Sequence, residues 1–249
     1  MTKIDLSNQV VAVTGASSGI GEATALACAE AGAAVALAAR RSDRIDALAK
    51  RIADAGGRAI SVQTDVGDEQ QANDFITRTH DELGRLDVLI NNAGVMLLGP
   101  IMHAPTEEWR RMIHANVLGV LWCSHAALPL MAKQGSGHIL NVSSVAGRVA
   151  RQGSGVYNLT KFGVGAFSES LRQEGVALGV RVTLVEPGAV ETELVGHNRP
   201  EVLEAISQRI GDIERLTAED IARAVLYAIG QPPHVSINEV LIRPSGQVG

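Results

Sequence analysis

Short runs of aliphatic residues alternate with longer helical patterns along almost the whole chain. The runs that predict strands are Val10–Val13, Val35–Ala39, Ala59–Gln63, Val88–Ile90, His138–Val142, Val180–Val185 and Glu239–Ile242. The helical patterns are Ile20–Ala31, Asp43–Ala55, Gln70–Leu83, Glu107–Met131 and Gly155–Ala177, with a last helix opened by the capping-box pattern Thr217–Asp220. Such alternation implies right-handed βαβ units in one parallel sheet. We therefore expect an α/β protein, with a single-domain, doubly wound parallel sheet over residues 1–249 and helices on both faces.

Composition and charge narrow the classes of protein that this chain can belong to. Aromatic residues make up only 3% of it, so its core must be aliphatic, which suits a parallel sheet covered by helices. The net charge of −5 argues against a nucleic-acid binder, which usually presents a basic face. The uncharged run Met112–Ala132 contains Asn116, Ser124 and Pro129, which favours a buried or interface helix over a membrane span.

The two cysteines and the first residues bear on the compartment. Cys28 and Cys123 lie in apolar helical runs and are predicted to be buried free thiols, which are common in reducing compartments. Met1–Asp5 contains no apolar stretch of the kind found in a signal peptide. These features together predict a cytoplasmic protein.

A glycine-rich turn follows the first predicted strand directly. It reads Thr14-Gly15-Ala16-Ser17-Ser18-Gly19-Ile20-Gly21, and a helix begins within it. Glycines here let the backbone approach a pyrophosphate, and a helix N-terminus offers free N–H groups and the positive end of its dipole. An ordinary tight turn would look similar, but the strand before it and the helix after it favour a dinucleotide site formed by Gly15, Ser17, Ser18, Gly19, Ile20 and Gly21.

The end of the second predicted strand indicates which dinucleotide. A protein that prefers NAD places an acid there to bind the ribose hydroxyls, whereas this chain has Ala39 followed by Arg40 and Arg41. A guanidinium binds a 2′-phosphate bidentately and stacks on adenine. We therefore expect NADP(H) as the cofactor; the alternative is that both arginines only solvate the start of a helix.

Two further loops lie at the carboxyl ends of predicted strands, where open α/β sheets bind their ligands. Asp65 and Val66 are placed to hold the adenine edge. The run from Asn91 through Asn92, Ala93 and Gly94 is placed to pass beneath the cofactor. Taken singly, each loop could be a simple turn.

The run Ser143–Gly147 follows the fifth strand, and Tyr157 and Lys161 stand at the head of the next long helix. Tyrosine and lysine at positions i and i+4 share one helical face. We expect the ammonium and an oxidised nicotinamide to lower the pKa of Tyr157, which would then act as a general acid or base on a carbonyl or alcohol. Ser144 would stabilise the developing charge on the same oxygen.

In their order along the chain, these motifs resemble the short-chain dehydrogenases/reductases, a family with the Rossmann fold. Thr14-Gly15-x-x-x-Gly19-x-Gly21 is similar to the family's cofactor turn, and Asn91–Gly94 to its central loop. The resemblance implies a catalytic set of Ser144, Tyr157, Lys161 and Asn116, in which the asparagine holds a relay water. It also implies that Pro187, Gly188, Val190 and Thr192 surround the nicotinamide. Ala39 with Arg40 resembles the family's NADP-preferring branch.

A finer resemblance concerns Val95–Pro100, Thr160–Val164, Ser168–Glu174 and Glu186–Gly188, which look like the subgroup of clavulanate (clavaldehyde) reductase and the 3-hydroxy-acid dehydrogenases. The resemblance to the family also implies a homo-oligomer, a tetramer or a dimer, paired through the helices at Glu107–Met131 and Gly155–Ala177. The expected partner is a small-molecule carbonyl or alcohol substrate, with no nucleic acid and no membrane.

A segment at about residues 190–213 resembles the family's substrate lid. Its apolar residues after Glu193 predict a modest-sized organic substrate. Near the active-site serine, Arg148 or Arg151 could grip a carboxylate, although an exposed arginine is the more common case.

The sequence also bears on classes of function other than an oxidoreductase. A non-catalytic NADP(H)-sensing or partner-binding protein would be expected to have a broken catalytic set, and here Ser144, Tyr157 and Lys161 are all present. Epimerase or dehydratase chemistry could use the same three residues. No metal is expected, because no two histidines have the i, i+4 spacing of a helical metal site.

Overall fold

Seven parallel strands lie side by side in one sheet in the computed structural model of the chain, which describes residues 4–211 and 213–248. They are β1 (Val10–Thr14), β2 (Ala34–Ala39), β3 (Arg58–Gln63), β4 (Val88–Asn91), β5 (Gly137–Val142), β6 (Val180–Pro187) and β7 (Glu239–Ile242). Their order is β3-β2-β1-β4-β5-β6-β7. The sheet confirms the predicted doubly wound fold; both ends of the predicted domain and position 212 of the predicted lid lie outside the described residues.

Helices cover both faces of the sheet, as predicted. They are α1 (Gly19–Glu30), α2 (Ser42–Asp54), α3 (Glu69–Leu83), α4 (Thr106–Ile113), α5 (Gly119–Gln134), α6 (Gly155–Val176), α7 (Pro200–Ile210) and α8 (Ala218–Ile229). The sequence pattern identified every one of these regions except α7, which lies in the predicted lid.

Strict alternation along β1 divides the core into two layers. Val11 and Val13 face the layer that contains α1, α2 and α8, whereas Val10 and Ala12 face the layer that contains α3, α5 and α6. Both layers are aliphatic, with Phe75 as the largest fully buried side chain of the second. Because strands buried on both faces favour apolar residues at every position, β1 is hydrophobic throughout Val10–Val13 and becomes polar only at Thr14, its last residue.

Side-chain caps fix two of the helix starts. Thr217 accepts a hydrogen bond from the Asp220 backbone and its own N–H donates to the Asp220 carboxylate at 2.7 Å, so the predicted capping box is present. Asp68 caps α3 by accepting from the Gln71 N–H at 2.9 Å. At its other end α3 stops at Gly84, whose φ of 86° favours glycine.

The predicted helix Glu107–Met131 is not a single regular α-helix. A π-helical turn, His114–Leu118, separates α4 from α5. This turn adds a residue to the helical repeat and re-aims the side chains around Asn116, which hydrophobic spacing does not reveal.

One helical segment of the described chain, Thr106–Gln134, is long and apolar enough to cross a membrane by length and composition alone. Within its α5 part, Cys123, Ala127 and Met131 are fully buried against the sheet and α3. Cys28 and Cys123 are both buried and free, as predicted.

His138, a residue of β5, is buried and contacts β6. The Thr183 hydroxyl donates to the Ile237 carbonyl, so its oxygen accepts a 2.7 Å hydrogen bond from His138 Nε2. His138 Nδ1 is buried without a hydrogen-bond partner. Burial, reinforced by the charge of Arg181, lowers the pKa of His138 to about 3.

This neutral histidine makes the fold sensitive to acid. Because the pKa of His138 is about 3 in the folded protein and near 6.5 unfolded, the unfolded chain binds more protons as pH falls below about 6.5. Between about pH 7 and pH 5, we expect this residue to lower the free energy of unfolding by about 2 kcal/mol. Urea unfolding of the wild type and of His138→Gln should differ by this amount in their pH dependence. Equal pH dependence of the two proteins would contradict the assignment.

Candidate active site

A cleft of about 1000 Å³ opens along the carboxyl ends of the strands, on both sides of the junction between β1 and β4. Strand order reverses at that junction, where open α/β sheets bind their ligands. Almost all of the predicted site residues line this cleft. They are Gly15, Ser17, Ser18, Gly19, Ile20, Arg40, Arg41, Asp65, Val66, Asn92, Ala93, Gly94, Ser144, Tyr157, Lys161, Pro187, Gly188, Val190 and Thr192. Gly21 and Asn116 do not line it.

The turn between β1 and α1 has the geometry of an anion site. Gly15 has a φ of 68° and Gly19 a φ of 56°, both in the region that favours glycine. At Gly21 an added Cβ would lie 2.3 Å from the Gly15 carbonyl oxygen, so only glycine allows this close approach. Ser18 is the extended N-cap of α1 and makes no side-chain cap, which leaves the first N–H groups of the helix directed at the cleft.

Hydrogen bonds join this turn to the loop after β4. The Thr14 hydroxyl accepts from the backbone N–H groups of Asn92, at 3.0 Å, and Ala93, at 3.1 Å. In return the Asn92 side-chain amide donates to the Thr14 carbonyl at 3.0 Å. Asn92 therefore braces the floor of the cleft. Thr14 is a residue to which the sequence assigned no role of its own.

The end of β2 carries a buried Ala39 followed by the two arginines. The Arg41 guanidinium donates to the hydroxyls of Ser17, at 2.9 Å through Nη2, and Ser18, at 2.8 Å. A third bond reaches the Glu193 carboxylate at 2.9 Å. Arg40 is exposed at the rim of the same cleft. Of the two arginines, Arg41 is therefore the one directed at the β1–α1 turn. The sequence alone does not reveal which of the two has this position.

Ser144, Tyr157 and Lys161 converge at the other end of the cleft. The Ser144 hydroxyl lies close enough to the Tyr157 phenol to act on its pKa as a hydrogen-bond partner. Lys161 Nζ lies 5.8 Å from the centre of the Tyr157 ring and donates to the Val142 carbonyl at 3.0 Å. Ser144 lies two residues after β5, and Tyr157 and Lys161 lie on one face of α6. Their proximity therefore follows from strand and helix geometry.

Burial determines the protonation of this group. It raises the pKa of Tyr157 to about 12, although the hydrogen bond from Ser144 acts in the opposite direction. Burial also lowers the pKa of Lys161 to about 8. In the protein without cofactor, desolvation of the phenolate therefore sets the pKa of Tyr157 above its ordinary value. The predicted lowering needs the oxidised nicotinamide as well as the lysine and stays a prediction.

Asn116 lies behind the site in the π-helical turn. Its side-chain oxygen accepts from the Val95 N–H at 2.8 Å, and its amide donates to the Val95 carbonyl at 2.9 Å and the Thr160 hydroxyl at 3.1 Å. The side chain thus ties the β4 loop to α6, and its predicted role in holding a relay water stays a prediction.

The loop after β6 lines the cleft, and its Thr192 packs against Gly19 of the β1–α1 turn. Gly188 donates its N–H to the Ile242 carbonyl at 2.7 Å, which continues the β6–β7 ladder. The Ala189 N–H donates to the Gln247 side-chain oxygen at 2.9 Å. Gly246, Gln247 and Val248 line the cleft through this contact, a contribution of the C-terminal tail for which the sequence shows no signal.

The predicted lid begins at this loop and crosses the cleft. It contains a short 3-10 turn at Val195–His197 and then α7. Asn198 is buried and accepts from the Leu98 N–H at 2.7 Å, while its amide donates to the Met96 carbonyl at 3.0 Å. The lid is thus anchored to the loop after β4.

Arg148 does not serve as a free substrate ligand. Its guanidinium is bidentate on the buried Glu186 carboxylate, at 2.6 to 2.9 Å, and also pairs with Glu239. The suggestion that it grips a carboxylate is therefore wrong, because β6 and β7 place two acids beside it. Arg151 does line the cleft. Within the described residues, no group of three or more His, Cys, Asp or Glu side chains is arranged to hold a metal.

This topology and cleft define a doubly wound, nucleotide-binding type of α/β protein, and comparisons with known proteins narrow the class. The sequence profile described as short chain dehydrogenase matches residues 9–203. An uncharacterized oxidoreductase of Staphylococcus saprophyticus is 42% identical over 248 residues, which cover 98% of each chain. The chain belongs to the short-chain dehydrogenase family.

Solved structures of similar proteins share the whole fold. The closed form of a serine dehydrogenase complexed with NADP+ superposes with a TM-score of 0.89 at 32% identity, covering 97% of each chain. An alcohol dehydrogenase of Thermococcus sibiricus, complexed with 5-hydroxy-NADP, has a TM-score of 0.86 at 29% identity, covering 97% of this chain and 98% of that one.

The close packing of Gly21 against the Gly15 carbonyl can be tested directly. In Gly21→Ala the new methyl group would meet backbone atoms that cannot rotate away, so the free energy of unfolding should fall by about 1–3 kcal/mol. Gly163→Ala is a matched control, because a Cβ there meets nothing within 4 Å and alanine favours a helix by about 0.5–1 kcal/mol. Denaturant titration of both variants measures the contrast. A Gly21→Ala protein as stable as the wild type would contradict the crowding.

Proposed function

We propose that this chain is an NADP(H)-dependent oxidoreductase that transfers hydride between the nicotinamide and a small organic carbonyl or alcohol. The observation that carries the proposal is the convergence of Ser144, Tyr157 and Lys161 in the same cleft as a phosphate-binding turn. Family membership supports the reaction class. Neither element alone would suffice, since a nucleotide-binding fold is also used by proteins that catalyse nothing.

The residues present fit a dinucleotide. The glycines of the β1–α1 turn and the free N–H groups at the start of α1 suit a pyrophosphate, and Thr192 packs directly against Gly19. Pro187 and Gly188 stand beside Ser144. Asn92 and Gly94 form the floor. When bound, the cofactor supplies or accepts the hydride, and the protein supplies the remaining chemistry.

Selectivity for a 2′-phosphate rests on the end of β2. Ala39 offers no carboxylate to repel that phosphate. Arg41, held beside the Ser17 and Ser18 hydroxyls, presents a fork of donors with two hydroxyl groups next to it. Arg40 adds a second positive charge at the rim. Two of the structural neighbours contain NADP or its 5-hydroxy derivative, which supports the same choice for this chain.

Proton transfer is assigned to Tyr157. With its pKa raised to about 12, the phenol is protonated at neutral pH and can donate to a carbonyl oxygen that gains negative charge. The Ser144 hydroxyl, which already contacts Tyr157, is placed to bond to the same oxygen. Lys161 keeps a positive charge close to the ring below about pH 8. A relay water at Asn116 would have to use its main chain, because its amide is bonded to Val95 and Thr160.

Substrate selection is assigned to the lid at about residues 190–213 and the loop after β4. Met96, Leu98, Val195 and Ile206 give this part of the cleft an apolar wall, which suits a modest-sized organic substrate. The resemblance to clavulanate reductase and the 3-hydroxy-acid dehydrogenases belongs to this proposal. Serine, named for one structural neighbour, is itself a 3-hydroxy acid.

Replacement of the phenol should separate catalysis from binding. We expect Tyr157→Phe to lower turnover by about 10²- to 10⁴-fold, because the general acid is lost, while NADPH binding stays nearly unchanged. Steady-state kinetics and calorimetric titration with NADPH measure the two effects. Tyr227→Phe, at the exposed tyrosine of α8, is the matched control and should behave as the wild type. Substantial activity in Tyr157→Phe would remove the proposed role.

The cofactor and the reaction can be tested together on the purified protein. Oxidation of NADPH, followed by the near-ultraviolet absorbance of the reduced nicotinamide, should accompany turnover of members of a panel of aldehydes, ketones and β-keto acids. NADH should react much more slowly. A preference for NADH would overturn the assignment of Ala39, Arg40 and Arg41. NADPH binding with no reaction across a broad panel would favour an NADP(H)-sensing role.

A further inference from the structure

Glu193 joins two sides of the cleft that belong to distant parts of the chain. It follows Thr192 at the start of the lid, whereas its partners follow β2. One carboxylate oxygen accepts from Arg41 at 2.9 Å and the other from Arg44 at 2.7 Å. The lid thus begins with an ionic contact across the mouth of the cleft, at the end where a 2′-phosphate is expected.

The Arg41 guanidinium takes part both in the contact with Glu193 and in the hydrogen bonds to the β1–α1 turn. Arg41 directs one edge at Ser17 and Ser18 and the remaining Nη1 at Glu193. A carboxylate brings one negative charge to this group. A phosphate monoester brings about two near neutral pH and three acceptor oxygens, so it competes well for the same donors.

We propose that Glu193 is a cofactor-discriminating latch: its carboxylate holds Arg41 and Arg44, and a 2′-phosphate entering the cleft displaces it and frees the start of the lid. The inference rests on the proposed function, since it needs the cofactor cleft. NAD(H) carries no phosphate at this position, so it would enter and leave without opening the latch.

Exposure and charge make the exchange feasible. The side chains of Arg41, Arg44 and Glu193 are 41 to 45% exposed, so water can replace each contact as it breaks. Hydrogen bonds from Arg44 and then Arg41 hold the pKa of Glu193 at about 2, and the carboxylate is therefore ionised at every pH where the protein would be assayed.

The other end of the same segment is fixed in a different way. Asn198 is buried and bonded to the backbone of Met96 and Leu98. These bonds involve no charge and do not face the arginines. Loss of the latch would therefore release residues 193–197 while the lid stays anchored at Asn198.

Binding measurements on a charge-removing variant test the latch. Calorimetric titrations would give the Kd of NADPH and of NADH for the wild type, Glu193→Gln and Glu191→Gln at low ionic strength. Glu191 is exposed, lies two residues away and does not line the cleft, so its substitution removes the same charge without contact to either arginine.

The latch predicts a split between the two cofactors. Glu193→Gln should lower the Kd of NADPH by roughly 3- to 10-fold, the scale of two exposed ion pairs, and change that of NADH by less than about 2-fold. Glu191→Gln should change neither by more than about 2-fold. An unchanged or higher Kd of NADPH in Glu193→Gln would overturn the latch, as would equal tightening of both cofactors. Failure of the wild type to bind either cofactor would instead overturn the proposed function.

Discussion

The contact between the β1–α1 turn and the loop after β4 is the constraint on which the site depends. A parallel sheet that reverses its strand order leaves a gap between these two loops, and the gap becomes a cleft only if its floor is held in place. Here Thr14 and Asn92 exchange hydrogen bonds, and Gly15 lies so close that a Cβ would come within 2.8 Å of the Ala93 backbone. The glycine is therefore required by the approach of two backbones as well as by its own φ of 68°.

The same sheet edge brings the chemistry to the cofactor end. Ser144 lies two residues after the end of β5, which neighbours β4 in the sheet. Lys161 on α6 donates a hydrogen bond to the carbonyl of Val142, the last residue of β5. The long helix cannot slide relative to the strand without breaking this bond. Asn116 adds a second restraint through Val95 and Thr160. Position along three elements thus fixes Tyr157 without any contact that depends on substrate.

Periodic and local features of the fold could be predicted from the sequence, and contacts between distant segments could not. The strands follow from aliphatic runs, and β7 from the run Glu239–Ile242. The cap at Thr217 is encoded within four residues. In contrast, the partners of Arg148 come from 38 and 91 positions away along the chain, and those of Glu193 from about 150. The π-helical turn and the tail contact of Gln247 likewise depend on neighbours that appear only after folding.

The candidate site followed the same division. Its residues were predicted because family motifs mark them and strand ends gather them at one edge. The raised pKa of Tyr157 in the protein without cofactor could not be predicted, because a helical i, i+4 spacing reveals the ammonium but does not reveal the depth of burial. That depth depends on the lid and the β4 loop, which pack Val95, Leu97 and Ile206 with the tyrosine.

Lys161 and His138 show how differently two buried bases affect the fold. His138 is neutral in the folded protein, so it lowers the free energy of unfolding only in acid. Lys161 has its pKa lowered to about 8, so at neutral pH it is charged although buried. The ordinary pKa of lysine is 10.5, so between about pH 8 and pH 10.5 the unfolded chain binds more protons than the folded protein. The free energy of unfolding therefore rises with pH over this range. At neutral pH the buried ammonium therefore costs about 3 kcal/mol relative to an unperturbed lysine. This buried charge lies beside the Tyr157 ring, and the proton transfer proposed for that phenol would use a positive charge within the same desolvated site.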